Sequence, residues 1–324
     1  GNETDPIYAK TGLGIAHWDA ANCVGQMRLT PETVDVGLPD VTLGEALQRG
    51  ANTLVLGVVV IGGSIPPATL TILRQALELG LDIAAGMHQR LGDIPELQEA
   101  AQKSGRRIID VRVPPEEIPV GTGEKRTGNR LLTMGTDCAL GKKYTALALA
   151  REMSHQGFDV DFRASGQTGI LISGAGIPID AVVADFISGA AEMLSPDAGS
   201  PDHWDVIEGQ GSLFHPGYSA VTAGLLTGSQ PDAFVVCTHA TREHMAGWPD
   251  FPLPSIGEVI ELTVLMAQRV NPAIRCLGIS SNTSSLAPEE RAPYLEGLAQ
   301  RWSLPAVDPL HGGVEPLVSA LTTW

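Results

Sequence analysis

A chain of 324 residues, 43% of them hydrophobic, can bury a sizeable core and suggests two domains. Its net charge of −16, with five lysines among 21 basic residues, excludes nucleic-acid binding through a general basic surface. No apolar run approaches the roughly 20 residues of a membrane span and no secretory leader is apparent, while Cys23, Cys138, Cys237 and Cys276 are scattered without C-x-x-C spacing. The expectation is a cytoplasmic protein with reduced thiols and neither a disulfide nor a metal framework.

In chain order, Gly12-Leu-Gly14 carries part of a dinucleotide fingerprint, but His17 stands where the third glycine belongs and no strand precedes it. Thr53 to Ile61 is apolar throughout and suits the middle of a parallel sheet. Gly62-Gly63-Ser64 ends that strand, as a ligand-facing loop or as a simple tight turn. Pro66 and Pro67 open a helix running to about Leu79. Leu81–Ala85 reads as a strand, Ile94–Ser104 as a helix and Arg107–Arg112 as another strand. This βαβ rhythm predicts a Rossmann-like domain over residues 1 to about 125. The Pro-, Gly- and charge-rich segment Pro114–Arg130 reads as a linker.

A second domain is expected over residues 131–324. Leu131-Leu-Thr-Met134 is a buried strand that breaks into the loop Gly135-Thr136-Asp137-Cys138-Ala139-Leu140-Gly141. Lys142, Lys143, Tyr144 and Thr145 then lead into a helix reaching Met153. Strand, Gly-bounded loop, Lys and helix is the layout of a phosphate-binding P-loop, in which backbone N–H groups and the helix N-terminus cradle anions. Five residues separate the two glycines where four are usual, and Lys143 holds the position of the magnesium-binding Ser or Thr. Phosphate binding therefore reads more securely than binding of a magnesium nucleotide.

Beyond the loop, Gly157–Arg163 reads as a turn and strand that delivers the small, polar segment Ala164–Ile170, with Ser165, Gln167 and Thr168. Asp180–Glu192 reads as a helix, with Asp185 inside an apolar stretch where a charge would demand a partner. The short strand before Glu208 places that carboxylate at its C-terminal end, suited to holding a metal or orienting a water. Ser212 and His215 follow, and His215 is a general-base candidate because an unperturbed imidazole titrates near pH 6.5. Phe234–His239 is a further buried strand that releases Arg242 into a loop, where it could clamp a carboxylate or phosphate or stand as a surface arginine. Cys276–Ser280 is the last clear strand, and the Asn282 after it holds the place from which P-loop proteins often read a base.

The segments GTDCALGKKYT, ASGQTGILISGAGIPIDAVVADF, VIEGQGSLFHPGYSAVT and GISSNTSSL together resemble one family, long catalogued as a domain of unknown function. The resemblance covers essentially the whole chain and implies an α/β architecture: an N-terminal Rossmann-like domain followed by a P-loop NTPase-like parallel-sheet domain. Similar members are described as D-glutamate (D-amino acid) N-acetyltransferases using acetyl-CoA, so the resemblance implies a cytoplasmic acyl-CoA-dependent transferase. Gly135–Thr145 would then hold the coenzyme A phosphates. Arg163, Ser165, Gln167, Thr168, Ser212 and Arg242 would bind the amino acid, and His215, Glu208 or Asp185 would take a proton from its amine. No metal, nucleic acid or membrane partner is implied, and a homo-oligomer is left open. The loop and the VIEGQG segment also resemble dethiobiotin synthetase, which gives the alternative of a Mg-ATP-dependent ligase or kinase. Lys143 and Tyr144 replace the Met and hydroxyl residue common in the family, a departure that weighs against Mg-ATP.

Overall fold

A computed structural model of the chain describes residues 1–6, 8–58 and 65–322. These divide into two units, Gly1–Val113 with Ile170–Gly174, and Pro114–Gly169 with Ala175–Trp324. The expected loop at Gly62–Ser64 and the end of the strand expected to reach Ile61 lie outside the described residues.

The first unit contains α1 (Lys10–Trp18), α2 (Leu43–Gln48), β1 (Thr53–Leu56), α3 (Pro67–Leu79), β2 (Asp82–Ala85), α4 (Pro95–Ser104) and β3 (Ile108–Asp110). The strands form a parallel sheet in the order β1-β2-β3. Helices α3 and α4 each start on a proline and stop at a left-handed glycine, Gly80 and Gly105. Leu73 and Leu77 of α3 and Leu97 of α4 pack with Leu81 and Ile83 into this unit's core. Gly12 and Gly14 lie within α1 rather than in a nucleotide-binding turn. The Gly12 N–H donates to the carbonyl of Gly57 at 2.8 Å, so Gly12 serves a close approach of the helix to the chain just past β1.

The second unit contains β4 (Asn129–Gly135), α5 (Lys142–His155), β5 (Val160–Arg163), α6 (Gln167–Ser173, whose last residues fall in the first unit), α7 (Ile187–Leu194), β6 (Trp204–Ile207) and α8 (Ser219–Ser229). It continues through β7 (Ala233–His239), β8 (His244–Met245), β9 (Trp248–Pro252), α9 (Ile256–Ala267), β10 (Arg275–Asn282), α10 (Pro288–Trp302), β11 (Ala306–Val307) and α11 (Glu315–Leu321). Six strands pair in parallel in the order β11-β10-β7-β4-β6-β5, which brings the C-terminal ends of β4, β6 and β7 side by side. Ligand sites of open parallel sheets form at that end. The central strands are buried almost throughout, as their unbroken apolar runs require. No helix among the described residues is long and apolar enough to cross a membrane.

Three segments depart from the sequence reading. The small, polar segment Ala164–Ile170, given no element from sequence, is helical from Gln167. The helix expected over Asp180–Glu192 resolves into single 3-10 turns at Ile179–Ala181 and Ala184–Phe186, with α7 starting only at Ile187. Between those turns Val182 and Val183 are extended, with ψ of 140° and 138°, the backbone that β-branched residues favour. The linker, finally, is strapped down from Gly121 onward. The Thr122 and Gly123 N–H groups donate to the Glu192 carboxylate, Lys125 pairs with Asp232, and Arg126 donates to the carbonyls of Gly228 and Ser229.

The strap depends on close approach at Gly189, where a Cβ would overlap the carbonyl of Pro119. Gly189→Ala should destabilise the protein by about 1–3 kcal/mol through overpacking. Gly199→Ala, where a Cβ meets nothing within 4 Å, should stay within about 0.5 kcal/mol of the wild type. Denaturant unfolding of the two variants measures the difference.

Candidate functional site

Strand β4 ends at Gly135 and the loop runs to Gly141, which caps α5 in the left-handed region with φ of 103°. Ala139, inside the loop, also has positive φ, at 50°. A non-glycine residue held there is strained, and strain of this kind concentrates at ligand sites. Among the described residues, none accepts a hydrogen bond from the N–H of Ala139, Leu140 or Gly141. Unpaired donors at a helix N-terminus are what an anion needs. Lys142, the first residue of α5, is buried, and its Nζ donates to the carbonyl of Asp137 at 2.6 Å. Burial pulls its pKa down, opposed by Cys138, Cys237 and Asp137. Lys143 lies with its Nζ 4.7 Å from the Tyr144 ring centroid. The Thr145 hydroxyl is turned into the core, donating to the carbonyl of Gly141 and sharing a hydrogen bond with Ser280. It therefore offers no oxygen to a ligand over the loop.

Asp137 is the loop's anchor. Its carboxylate is fully buried. Oδ2 accepts from Arg242 Nη1 at 3.0 Å and from the Ala246 N–H at 2.8 Å, and Oδ1 accepts from the Cys138 N–H at 2.6 Å. Arg242 also donates to the carbonyls of Cys138 and Ala139. The structure thus places Arg242 on the loop itself. The hairpin β8–β9 docks by the same contacts and carries Trp248 beside His215, ring centroids 4.5 Å apart.

His215 is buried. Its Nδ1 accepts from the Gly217 N–H at 3.1 Å, so the neutral ring carries its proton on Nε2. That nitrogen lies 3.8 Å from Asp137 Oδ1, and no described residue accepts from it. Burial lowers the His215 pKa, with Asp137 opposing and Lys142 adding to the shift. A buried imidazole protonated at Nε2 acts as a donor towards the loop rather than as a base there.

Glu208 follows β6 and is also buried. Its Oε2 accepts from the N–H groups of Ser165 and Gly166 at 3.1 and 3.0 Å, and Ser165 Oγ donates to its backbone carbonyl. Burial pushes the carboxyl up to about 7; Lys143 and the two N–H donors hold it down, and Asp180 raises it. The next residue touches the loop's own strand: the Gly209 N–H donates to Thr133 Oγ1, and a Cβ at Gly209 would overlap the Thr133 carbonyl and reach the Lys142 stem. Phosphate loop and carboxylate are therefore neighbours. Ser212 Oγ donates to the carbonyl of Thr136, and Gln210 Nε2 donates to Ser165 Oγ, which closes this corner.

The remaining expected residues fall in different places. Thr168 is buried and Gln167 half-buried at the start of α6. Arg163 faces the opposite end of its strand, donating from Nε to Asp205 Oδ1 at 2.6 Å and pairing with Asp161. Asp185 is exposed on a 3-10 turn and makes no hydrogen bond or ion pair among the described residues, so the expected buried charge is absent there. Thr136 is buried, its N–H donating to the Cys237 carbonyl and its hydroxyl to Thr238. Asp137, Cys138 and His215 bring their ligand atoms within 4.8 Å of one another, as do Asp161, His203 and Asp205. In the first trio the Asp137 carboxylate already accepts from two N–H groups and a guanidinium, and in the second Arg163 bonds both carboxylates. Sequence reading passed over Gln210, Tyr218 and Trp248, which no periodicity marks.

Residues 119–318 match a P-loop domain of unknown function, DUF1611_C, and residues 24–114 match its Rossmann-like companion, DUF1611_N. A D-glutamate N-acetyltransferase of Tritonibacter scottomollicae is 48% identical over 321 residues, covering 99% of this chain and 96% of that protein. A protein of the same name from a Pseudoalteromonas species is 47% identical with the same coverage. The crystal structure of a DUF1611 family protein from Anabaena variabilis aligns with a TM-score of 0.88 at 31% identity, covering 98% of this chain and 96% of that one.

Two outcomes test the site's physics. Asp137→Ala strands a guanidinium and two N–H groups and should cost about 2–3 kcal/mol in denaturant unfolding. Glu208 ionises near 4.5 when unfolded and about 7 when folded, so its contribution to stability is complete below about pH 4.5 and is lost as pH rises through about 7. Glu208→Gln should flatten that loss, seen as a smaller drop in melting temperature between pH 5 and pH 8.

Proposed function

The chain belongs to the DUF1611 family, and from that membership we propose that it transfers an acetyl group from acetyl-CoA to the amine of D-glutamate. The observation that carries this reading is similarity at 47–48% identity, over nearly the full length of both chains, to two D-glutamate N-acetyltransferases. The site is compatible with such a reaction. Coenzyme A presents a diphosphate and a ribose phosphate, and the loop offers N–H donors with Lys142 and Lys143. Lys143 stands where a magnesium-binding hydroxyl is usual and Thr145 is turned inward, which favours a polyphosphate held without a metal over Mg-ATP.

The acceptor enters as an ammonium and must lose a proton before it attacks the thioester carbonyl. Of the three expected bases, His215 holds a proton on the nitrogen that faces the loop and Asp185 stands on an exposed turn. Glu208 is buried and titrates about 7, close to the working range of a general base. In this reading it takes the first ammonium proton and passes it to solvent; the second N–H proton, lost as the amide forms and the C–S bond breaks, goes to the departing coenzyme A thiolate. With the diphosphate over the loop, the pantetheine arm runs back along the β6–α8 segment to bring the thioester to Glu208. Ser165, Gln167, Thr168 and Ser212 remain the proposed amino-acid contacts, and Arg242 acts through the loop it holds.

Thiol release from acetyl-CoA should depend on D-glutamate, and acetyl-CoA should raise the melting temperature where Mg-ATP does not. The reverse pattern in melting, together with no acetyl transfer, would sink the reading. Lys142→Ala should weaken coenzyme A binding about tenfold or more by calorimetry. Glu208→Gln should lower kcat by about 10²–10⁴ and remove the rise of rate through pH 7.

A further inference from the structure

Tyr218 stands immediately before α8 and is 49% exposed although two rings pack on it. His215 lies against one face, centroids 4.6 Å apart and planes inclined at 33°. Trp248 meets it edge-on, at 5.9 Å and 79°. With His215 stacked on one face and Trp248 meeting it edge-on, an aromatic ring of this exposure keeps apolar surface turned outward, and its partner Trp248 is itself only half-buried. Four contacts fix where this corner sits. Trp248 is held to the phosphate loop through Ala246 and Asp137, and His215 touches the loop at Asp137. Thr222, one turn into α8, donates to the carbonyl of Gln210, and a Cβ on Gly211 would lie 3.3 Å from Tyr218 Cβ. The corner therefore borders both the loop and the segment that begins with Glu208.

We propose that Tyr218 and Trp248 form the wall along which the pantetheine arm of the acyl donor lies between the phosphate loop and Glu208. This rests on the acetyl-CoA reading above. The arm alternates methylene groups with amides, and aromatic faces rimmed by a phenol hydroxyl and an indole N–H suit that alternation. The same faces could stack a purine, and the experiment separates the two ligands.

The test compares acetyl-CoA with S-acetylpantetheine, which lacks the nucleotide, as donors for the wild type, Tyr218→Leu, Trp248→Leu and Lys142→Ala. Leucine keeps an apolar side chain at each position, so folding is preserved at these partly exposed sites. Both leucine variants should raise KM for both donors by a similar factor, roughly three- to tenfold, with kcat little changed. Lys142→Ala should impair acetyl-CoA alone. A loss confined to acetyl-CoA in the leucine variants would move the nucleobase to the corner and overturn the proposal. Unchanged kinetics with both donors would overturn it too. If Lys142→Ala affects both donors equally, the loop assignment fails while the wall stands. An enzyme inert towards both donors removes the acetyl-CoA reading and the wall with it.

Discussion

The buried carboxylate of Asp137 is the constraint on which the site is built. An unpaired charge with no exposure would cost several kcal/mol, so the chain must bring it partners. It brings the Arg242 guanidinium from beyond β7, the Ala246 N–H from the β8–β9 hairpin and the Cys138 N–H from the loop. Each partner is thereby placed. The loop keeps a shape that includes a left-handed alanine, the hairpin is fixed against it, and Trp248 is carried to His215. Meeting the needs of one carboxylate positions segments that the sequence separates by more than a hundred residues.

Glu208 shows the contrasting solution. It has two N–H donors and a lysine in electrostatic range but no direct cation, so burial wins and its proton is held to about pH 7. Two carboxylates on neighbouring strand ends thus differ in role because they differ in partners. Asp137, bonded to a guanidinium, holds structure in place. Glu208, lifted by burial to about 7, is the one of the two suited to the proposed role of base.

Much of this was legible in the residues. Apolar runs at Leu131–Met134 and Phe234–Val236 read as buried parallel strands, and Gly135 to Lys142 read as a strand–loop–helix turn with the layout of a P-loop. Glu208 was placed correctly at a strand end because the apolar VI pair before it and Gly209 after it bound a short buried strand. What failed depended on partners distant in sequence. Arg163 looked available to a ligand because nothing nearby announces that Asp205, 42 residues on, takes its Nε. Arg242 was open to a clamp or a surface place, and its bond to Asp137, 105 residues earlier, was equally unannounced. Asp185 looked buried because the apolar residues around it suggested one continuous helix, whereas the extended Val182–Val183 pair turns it outward. Local pattern reports local structure; side-chain partners are set by topology.

The charge balance of the site follows from these placements and runs against that of the whole chain. A protein of net charge −16 repels an anion as polyvalent as coenzyme A at long range. Close to the loop the balance reverses. Lys142, Lys143 and Arg242 lie near Asp137, which is already paired, and Glu208, which holds its proton up to about pH 7, with Asp180 acting on Glu208 as a further carboxylate. The attraction is therefore short-ranged, set within a few ångströms of N–H donors and partly buried cations, while the repulsion acts over the surrounding solvent. Salt screens the second far more than the first, because ions reach exposed charges and not buried ones. If the proposed acyl donor binds there, such a site would keep its hold at ionic strengths that would strip an anion from a basic surface, and it would need few lysines to do so.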